Sequence, residues 1–264
     1  MRRTLAGGVV VVALATVVAA PKLVKGRSAL AAQPKKGVDP EADRTLRRMT
    51  DYLAALKTFK VHSAATDEVV LKSGQKLQLA SESQVSVQRP NRLRSEQVGA
   101  RNGLAFWYDG KSMTLACKDD NSYATIPAPA TLDATIDRAR KEFQIEAPGA
   151  DLLYSRPYDI LMEQVVGGQV VGRETVNGVP ATHLAFTGEE VDWQIWIQEG
   201  AEPLPLRFSI TTKDLPGHPE FAVQLSQWDT KASPPASTFE FQAPPGATRA
   251  QSFSRPCTPG HASR

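Results

Sequence analysis

Between Lys76 and Gln88 the chain alternates, with Leu77, Leu79, Val85 and Val87 at odd positions and Lys76, Gln78, Gln84, Ser86 and Gln88 at even ones. Successive side chains of a strand point to opposite faces, so this spacing predicts one long strand with a single apolar face. Such a strand belongs in an antiparallel sheet covered on one side only. The turn-forming step Lys72-Ser73-Gly74-Gln75 pairs it with Phe59–Leu71 as a hairpin, and Pro90, which has no N–H to give a ladder, closes it. Further strands are expected at Leu93–Gly99, Leu104–Tyr108 and Met113–Cys117, with Asp109-Gly110 a tight turn between the last two.

Helical spacing interrupts this pattern in three places. Asp39-Pro40-Glu41 supplies an N-cap acceptor, a proline suited to a first turn and an acid near the helix N-terminus. Behind it Leu46, Met49, Leu53 and Leu56 form one apolar stripe, with Arg44, Arg47, Arg48 and Asp51 largely off it. A Thr131 cap precedes Leu132, Ile136, Ala139 and Phe143 at the same spacing. A third stretch, Asp151–Val165, is interrupted by Pro157 and expected to end at Gly167-Gly168. Strands then resume at Val170–Val176, Ala181–Phe186, Val191–Gln198, Leu206–Thr212 and Phe221–Trp228, with Phe239 and Phe241 a candidate last strand. Strands and helices do not alternate regularly, which argues against a parallel α/β scaffold. The expected class is α+β, a large curved antiparallel sheet, or incomplete β-barrel, with a few helices covering its concave face.

Met1-Arg2-Arg3 followed by an apolar run from Leu5 to Ala20 has the layout of a signal peptide, with cleavage expected near Ala31 or Ala32. The apolar run is shorter than the roughly 20 residues of a spanning helix. The two cysteines are Cys117 and Cys257, so neither follows the apolar run to carry an N-terminal lipid. The expected organisation is a signal peptide over 1–32, a linker over 33–38, one domain over 39–248 and a flexible tail over 249–264. The 264-residue chain carries a formal charge of +3; residues 1–32 hold five basic residues and no acid, so cleavage takes the charge to −2. The basic character thus resides in the removed segment, which argues against nucleic acid as a partner. The product is expected to be a soluble periplasmic monomer, not an integral membrane protein. An oxidising compartment permits a Cys117–Cys257 bridge; the alternative is a buried apolar Cys117 with Cys257 a free or modified thiol.

The segments Gln88-Arg89-Pro90-Asn91-Arg92-Leu93-Arg94, Trp107-Tyr108-Asp109-Gly110-Lys111 and Phe239-Glu240-Phe241-Gln242-Ala243-Pro244-Pro245-Gly246-Ala247 resemble the periplasmic lipoprotein carriers of the LolA/LolB-like superfamily. The stretches Gly178–Phe186 and Val191–Ile197 are similar to predicted periplasmic proteins of that superfamily known as domain of unknown function 2092. The resemblance spans roughly Thr45 to Thr248. It implies an incomplete β-barrel whose helices enclose a cavity for acyl chains. The arginine matched by Arg89 is implicated, in the carriers, in holding a helical lid; otherwise Arg89 is a solvated residue at a strand end. Residues 127–168 depart from the carriers' pattern, which leaves lid mechanics and client release outside what the resemblance implies.

These readings assign a hydrophobic ligand, a lipid or the acyl chains of a lipidated protein, to Leu77, Leu79, Val85, Val87, Arg89, Leu104, Phe106, Trp193, Ile195 and Phe208. Apart from Arg89, the same residue types would build a filled core, so patterning leaves cavity and core both open. On Val191–Ile197 the odd positions, Trp193 included, share one face, and Trp196 lies opposite. An outward Trp196 or an exposed sheet edge would suit the alternative, a protein-interaction or sensor module. G-x-S-x-G, H-E-x-x-H, C-x-x-C and Gly-rich phosphate-loop motifs are absent from the sequence, so no enzyme, cofactor or metal is expected. His183, inside an apolar strand, reads as a cross-strand hydrogen-bonded imidazole before it reads as part of a hydrolase site. Asp109 and Asp192 read as turn and strand aspartates.

Overall fold

The alternation of the 76–88 segment is expressed in full by the hairpin of β1 (Thr58–Val70) and β2 (Lys76–Gln88), which pair from Thr58 opposite Gln88 to Val70 opposite Lys76. The computed structural model describes residues 35–99, 103–143, 145 and 147–251. The expected signal peptide and most of the tail, Cys257 included, lie outside the described residues.

From β2 the chain meanders through β3 (Arg92–Gly99), β4 (Leu104–Tyr108), β5 (Ser112–Cys117) and β6 (Ser122–Pro127). The second half of the sheet is β7 (Val165–Val176), β8 (Val179–Gly188), β9 (Val191–Gln198), β10 (Pro205–Thr212) and β11 (Glu220–Asp229), with β12 (Thr248–Arg249) at the far edge. The order is β12-β6-β5-β4-β3-β2-β1-β11-β10-β9-β8-β7, one open sheet in which β12 and β7 are the free edges. All pairs are antiparallel except β12 with β6.

Helix α1 (Pro40–Ala55) starts where Asp39 accepts a 2.6 Å hydrogen bond from the Glu41 amide. Its stripe of Leu46, Met49 and Leu53 packs on Leu184, Phe186, Trp193, Ile195 and Phe208, filling the β7–β11 half of the covered face. Helix α2 (Leu132–Phe143) is capped by Thr131, whose Oγ1 accepts from the Ala134 amide at 3.3 Å. Leu132 and Ile136 pack on Phe59, Val87, Leu93 and Tyr108 in the other half. No helix among the described residues is long and apolar enough to cross a membrane.

Three local expectations are corrected. The third helical stretch is a 3₁₀ turn at Ala150–Leu153 and a five-residue α3 (Pro157–Leu161), and Gly167-Gly168 do not end it but lie inside β7. The reason is packing: a Cβ on Gly168 would sit 2.4 Å from Phe186 Cδ1, so the glycine makes room for a ring. Phe239 belongs to a 3₁₀ turn, Ala236–Phe239, and Phe241 packs on Trp107 and Tyr123 at centroid separations of 5.0 and 4.8 Å instead of forming a strand. Lys35–Val38, expected as linker, docks on the sheet: Val38 is 7 % exposed and bridges Gly168, and Lys35 Nζ donates to the Met162 carbonyl at 2.7 Å. Of the two readings left open for Cys117, the structure has the disulfide-bonded one: the residue is buried in β5 and bridged.

Candidate functional site

On β1 and β2 the odd-numbered side chains face the helices, and each register row carries them across to β3 and β4. The row Phe59–Val87–Leu93–Tyr108 is sealed beneath α2. One step along the strands, the row Val61–Val85–Ser95–Phe106 borders a gap between the sheet and the elements above it. The result is a cavity of about 330 Å³, at the lower end of the roughly 300–1,000 Å³ of small-molecule sites. Strands β1 to β5 and β11 make its floor; Ile136 and Ala139 of α2, Ile145, and residues from Ala147 to Leu153 make its cover.

Polar contacts fix that cover. Asp133, Asp137 and Arg140 recur on α2 at steps of four and three, which puts them on one face. Asp133 accepts from the Ser155 amide at 2.9 Å and its hydroxyl at 2.6 Å, the Tyr154 hydroxyl donates to Asp137 at 2.8 Å, and Arg140 donates to Asp151 at 2.9 Å. Burial, and then the bond to Asp137, push the Tyr154 phenol well above its usual range. From below, Arg89 at the end of β2 donates through Nη1 to the Leu153 carbonyl at 2.7 Å, while its Nε and Nη2 are buried with no partner. Burial draws the Arg89 guanidinium down from its ordinary value, against the opposing charge of Asp133.

Of the residues assigned to a ligand from sequence, Val85, Leu104 and Phe106 line this cavity. Trp193 and Phe208 line a second, smaller space of about 220 Å³, in which Trp193 stacks on Phe186 at 4.1 Å. Val87 and Ile195 are fully buried core residues. Leu77 is 38 % exposed and Leu79 half-buried near the hairpin tip, outside both linings, because the cover does not reach so far along β2. Arg89 lies under the cover, not in the lining. Patterning alone did not identify the contributions of Leu53, Ile136, Leu152 and Trp228. Nor did it identify Ser81 and Ser83, whose only signal is that they interrupt the apolar series on the odd face of β2.

The other candidates sit away from the cavity. His183 stacks on Trp196 at 4.0 Å on the face opposite the helices; its Nδ1 lies 2.8 Å from Glu174 and its Nε2 2.9 Å from Gln194. Trp196 Nε1 donates to Glu174 at 2.8 Å, and Arg207 lies over the indole, so this tryptophan is 6 % exposed and not the open docking residue that an interaction module would use. Asp109 accepts from the Ser112 and Lys111 amides at 2.7 and 2.8 Å; partial burial raises its pKa, but these bonds prevail and hold it below the ordinary carboxylate range. Asp192 pairs with Lys213 at 3.0 Å. Among the described residues, no three His, Cys, Asp or Glu side chains converge as a metal site.

The model of a family described as "Predicted periplasmic protein (DUF2092)" matches residues 42–252. Among solved structures, the chain is similar to the lipoprotein LppX of Mycobacterium tuberculosis at 17 % identity, covering 74 % of this chain and 98 % of that one with a TM-score of 0.47. It is also similar to an uncharacterized conserved protein from Thermus thermophilus, at 14 % identity, 80 % and 99 % coverage and a TM-score of 0.46. A LolA superfamily protein from Nitrosomonas europaea is matched at 12 % identity, 76 % and 97 % coverage and a TM-score of 0.39. Among curated proteins none matches the sequence.

Proposed function

This chain belongs to the DUF2092 family of predicted periplasmic proteins, and from that membership we propose that it is an exported, non-catalytic protein that holds an apolar ligand, a lipid or a lipid's acyl chain, under the cover formed by α2, Ile145 and residues 147–153. The observation that carries the reading is the unfilled, largely apolar space of about 330 Å³ between the open sheet and that cover. Apolar cavities persist where a ligand supplies the contacts that side chains do not. Val85, Leu104 and Phe106 are the residues of the sequence assignment that would touch the ligand; Arg89 would act on it indirectly, by holding Leu153.

The interaction-module alternative is weakened by the burial of Trp196, and the hydrolase alternative by the engagement of both His183 ring nitrogens on the face away from the cavity. The mature protein should bind the neutral dye Nile red at about one equivalent, and native mass spectrometry of protein from its own envelope should detect co-purified lipid. A protein that binds no dye and carries no lipid would overturn the reading.

A further inference from the structure

The cavity lining is not uniformly apolar. Next to the Val61–Val85–Phe106 region, Ser63, Ser83 and Gln97 occupy one row across β1, β2 and β3, with Ser63 opposite Ser83 and Ser83 opposite Gln97. Ser81 stands one step further along β2 on the same face, and Ser95 one step back along β3. Asp67 stands near the outer end of the same face of β1, opposite Leu79 and Phe221. All six side chains line the cavity, and among the described residues none makes a side-chain hydrogen bond or ion pair.

Half-buried hydroxyl and amide groups on a sheet floor ordinarily find partners in the protein or in solvent. A belt of them, facing an apolar space and without a side-chain partner in the protein, offers donors and acceptors to whatever enters. Strand spacing makes the Ser63–Ser83–Gln97 row ~10 Å long, with Ser81 and Ser95 each one ~7 Å step to either side of it, room for one sugar or glycerol unit. The lining's charges are Asp67 and Arg140, and the Arg140 charge is matched by Asp151 at 2.9 Å. The uncompensated charge of the lining is therefore negative, which disfavours an anionic head group.

On the reading that this cavity holds an apolar ligand, we infer that the ligand is an amphiphile with an uncharged, hydroxyl- or amide-bearing head group: the hydrocarbon lies on Val61, Val85 and Phe106, and the head on the Ser63–Ser83–Gln97 row.

Displacement of Nile red by decyl β-glucoside and by decyl phosphate, both below their micelle-forming concentrations, tests this inference. The glucoside should displace the dye at roughly tenfold lower concentration, the effect of one or two net hydrogen bonds. In the variant Ser63→Ala/Ser83→Ala/Gln97→Leu the glucoside should lose that advantage while Nile red binds as before; Ser83→Ala alone serves if the triple variant does not fold. Equal displacement by the two amphiphiles in the unmodified protein, or a glucoside advantage that survives the substitutions, would overturn the assignment of the head group while leaving the apolar cavity standing. Failure of Nile red to bind the unmodified protein would instead overturn the cavity reading itself, and this inference with it.

Discussion

Arg89 holds one hydrogen bond where its guanidinium could make five, so it is the residue at which the cavity's cover is most exposed to a single change. Replacing it with alanine removes the bond to Leu153 but also removes a poorly solvated buried charge, and the two effects oppose each other in global stability. Locally they do not. In Arg89→Ala the amides of residues 150–155 should exchange with solvent about tenfold faster, as expected for loss of a charged hydrogen bond, while the urea midpoint moves little; unchanged exchange would show that Arg89 does not hold this segment. On the opposite face Glu174 makes a pH prediction. Its carboxyl is held below the ordinary range first by the Trp196 indole N–H and then by His183. A depressed folded-state pKa contributes stability above the unfolded value of about 4.3, and that contribution is lost as pH falls through the folded value. Between about pH 5 and about pH 3 the Tm of Glu174→Gln should therefore fall less than that of the unmodified protein; parallel curves would disprove the coupling. Both roles were legible in outline, Arg89 through the resemblance as a residue that holds a cover and His183 through its strand as a cross-strand hydrogen-bonded imidazole, but their partners were not. The sequence places Arg89 at a strand end and His183 in an apolar strand, but the partners Leu153 and Glu174 are fixed only by tertiary contact.

Elements whose side chains follow one period were legible almost to the residue. The long hairpin, β4 and β9 are as their alternation requires, because a half-buried strand has one face in the core and the other in water. Some of the errors fall where glycine or proline carries two meanings. Gly167-Gly168 read as a helix stop, but Gly168 is a strand glycine with the Phe186 ring packed against its Cα, and nothing local distinguishes the two. That contact is testable. In Gly168→Ala the new methyl would meet Phe186 Cδ1 at 2.4 Å and Val38 Cγ1 at 3.3 Å, and overpacking of this kind costs about 1–3 kcal/mol. The urea midpoint should fall accordingly, and Phe186→Leu in the same chain should restore part of the loss. A Gly168→Ala protein as stable as the unmodified one would mean that β7 can move away from β8 without cost. The short α2 matters in the same way: its length was legible, but not that the second row of the sheet borders an unfilled space.

At the scale of the whole molecule the question that patterning left open is whether the apolar face ends in a core or a cavity, and two valines on one strand answer it. Val85 and Val87 share the face of β2 that looks toward the helices and differ by a single two-residue step. Val87 is 0 % exposed and packed among Phe59, Leu93 and Tyr108, whereas Val85 borders the space of about 330 Å³. Substitution of either by phenylalanine adds the same volume to the same β-strand, so propensity and denatured-state effects nearly cancel between them. In a close-packed interior the added ring has nowhere to go, and Val87→Phe should lower stability by about 1–3 kcal/mol. At Val85 the ring enters empty space and gains apolar contacts there, so Val85→Phe should be at least as stable as the unmodified protein while its Nile red binding falls. Denaturant titration with dye binding on the two variants separates the cases: equal destabilisation at both positions would make the space a filled core, and retained dye binding in a stable Val85→Phe would place the dye site elsewhere on the fold.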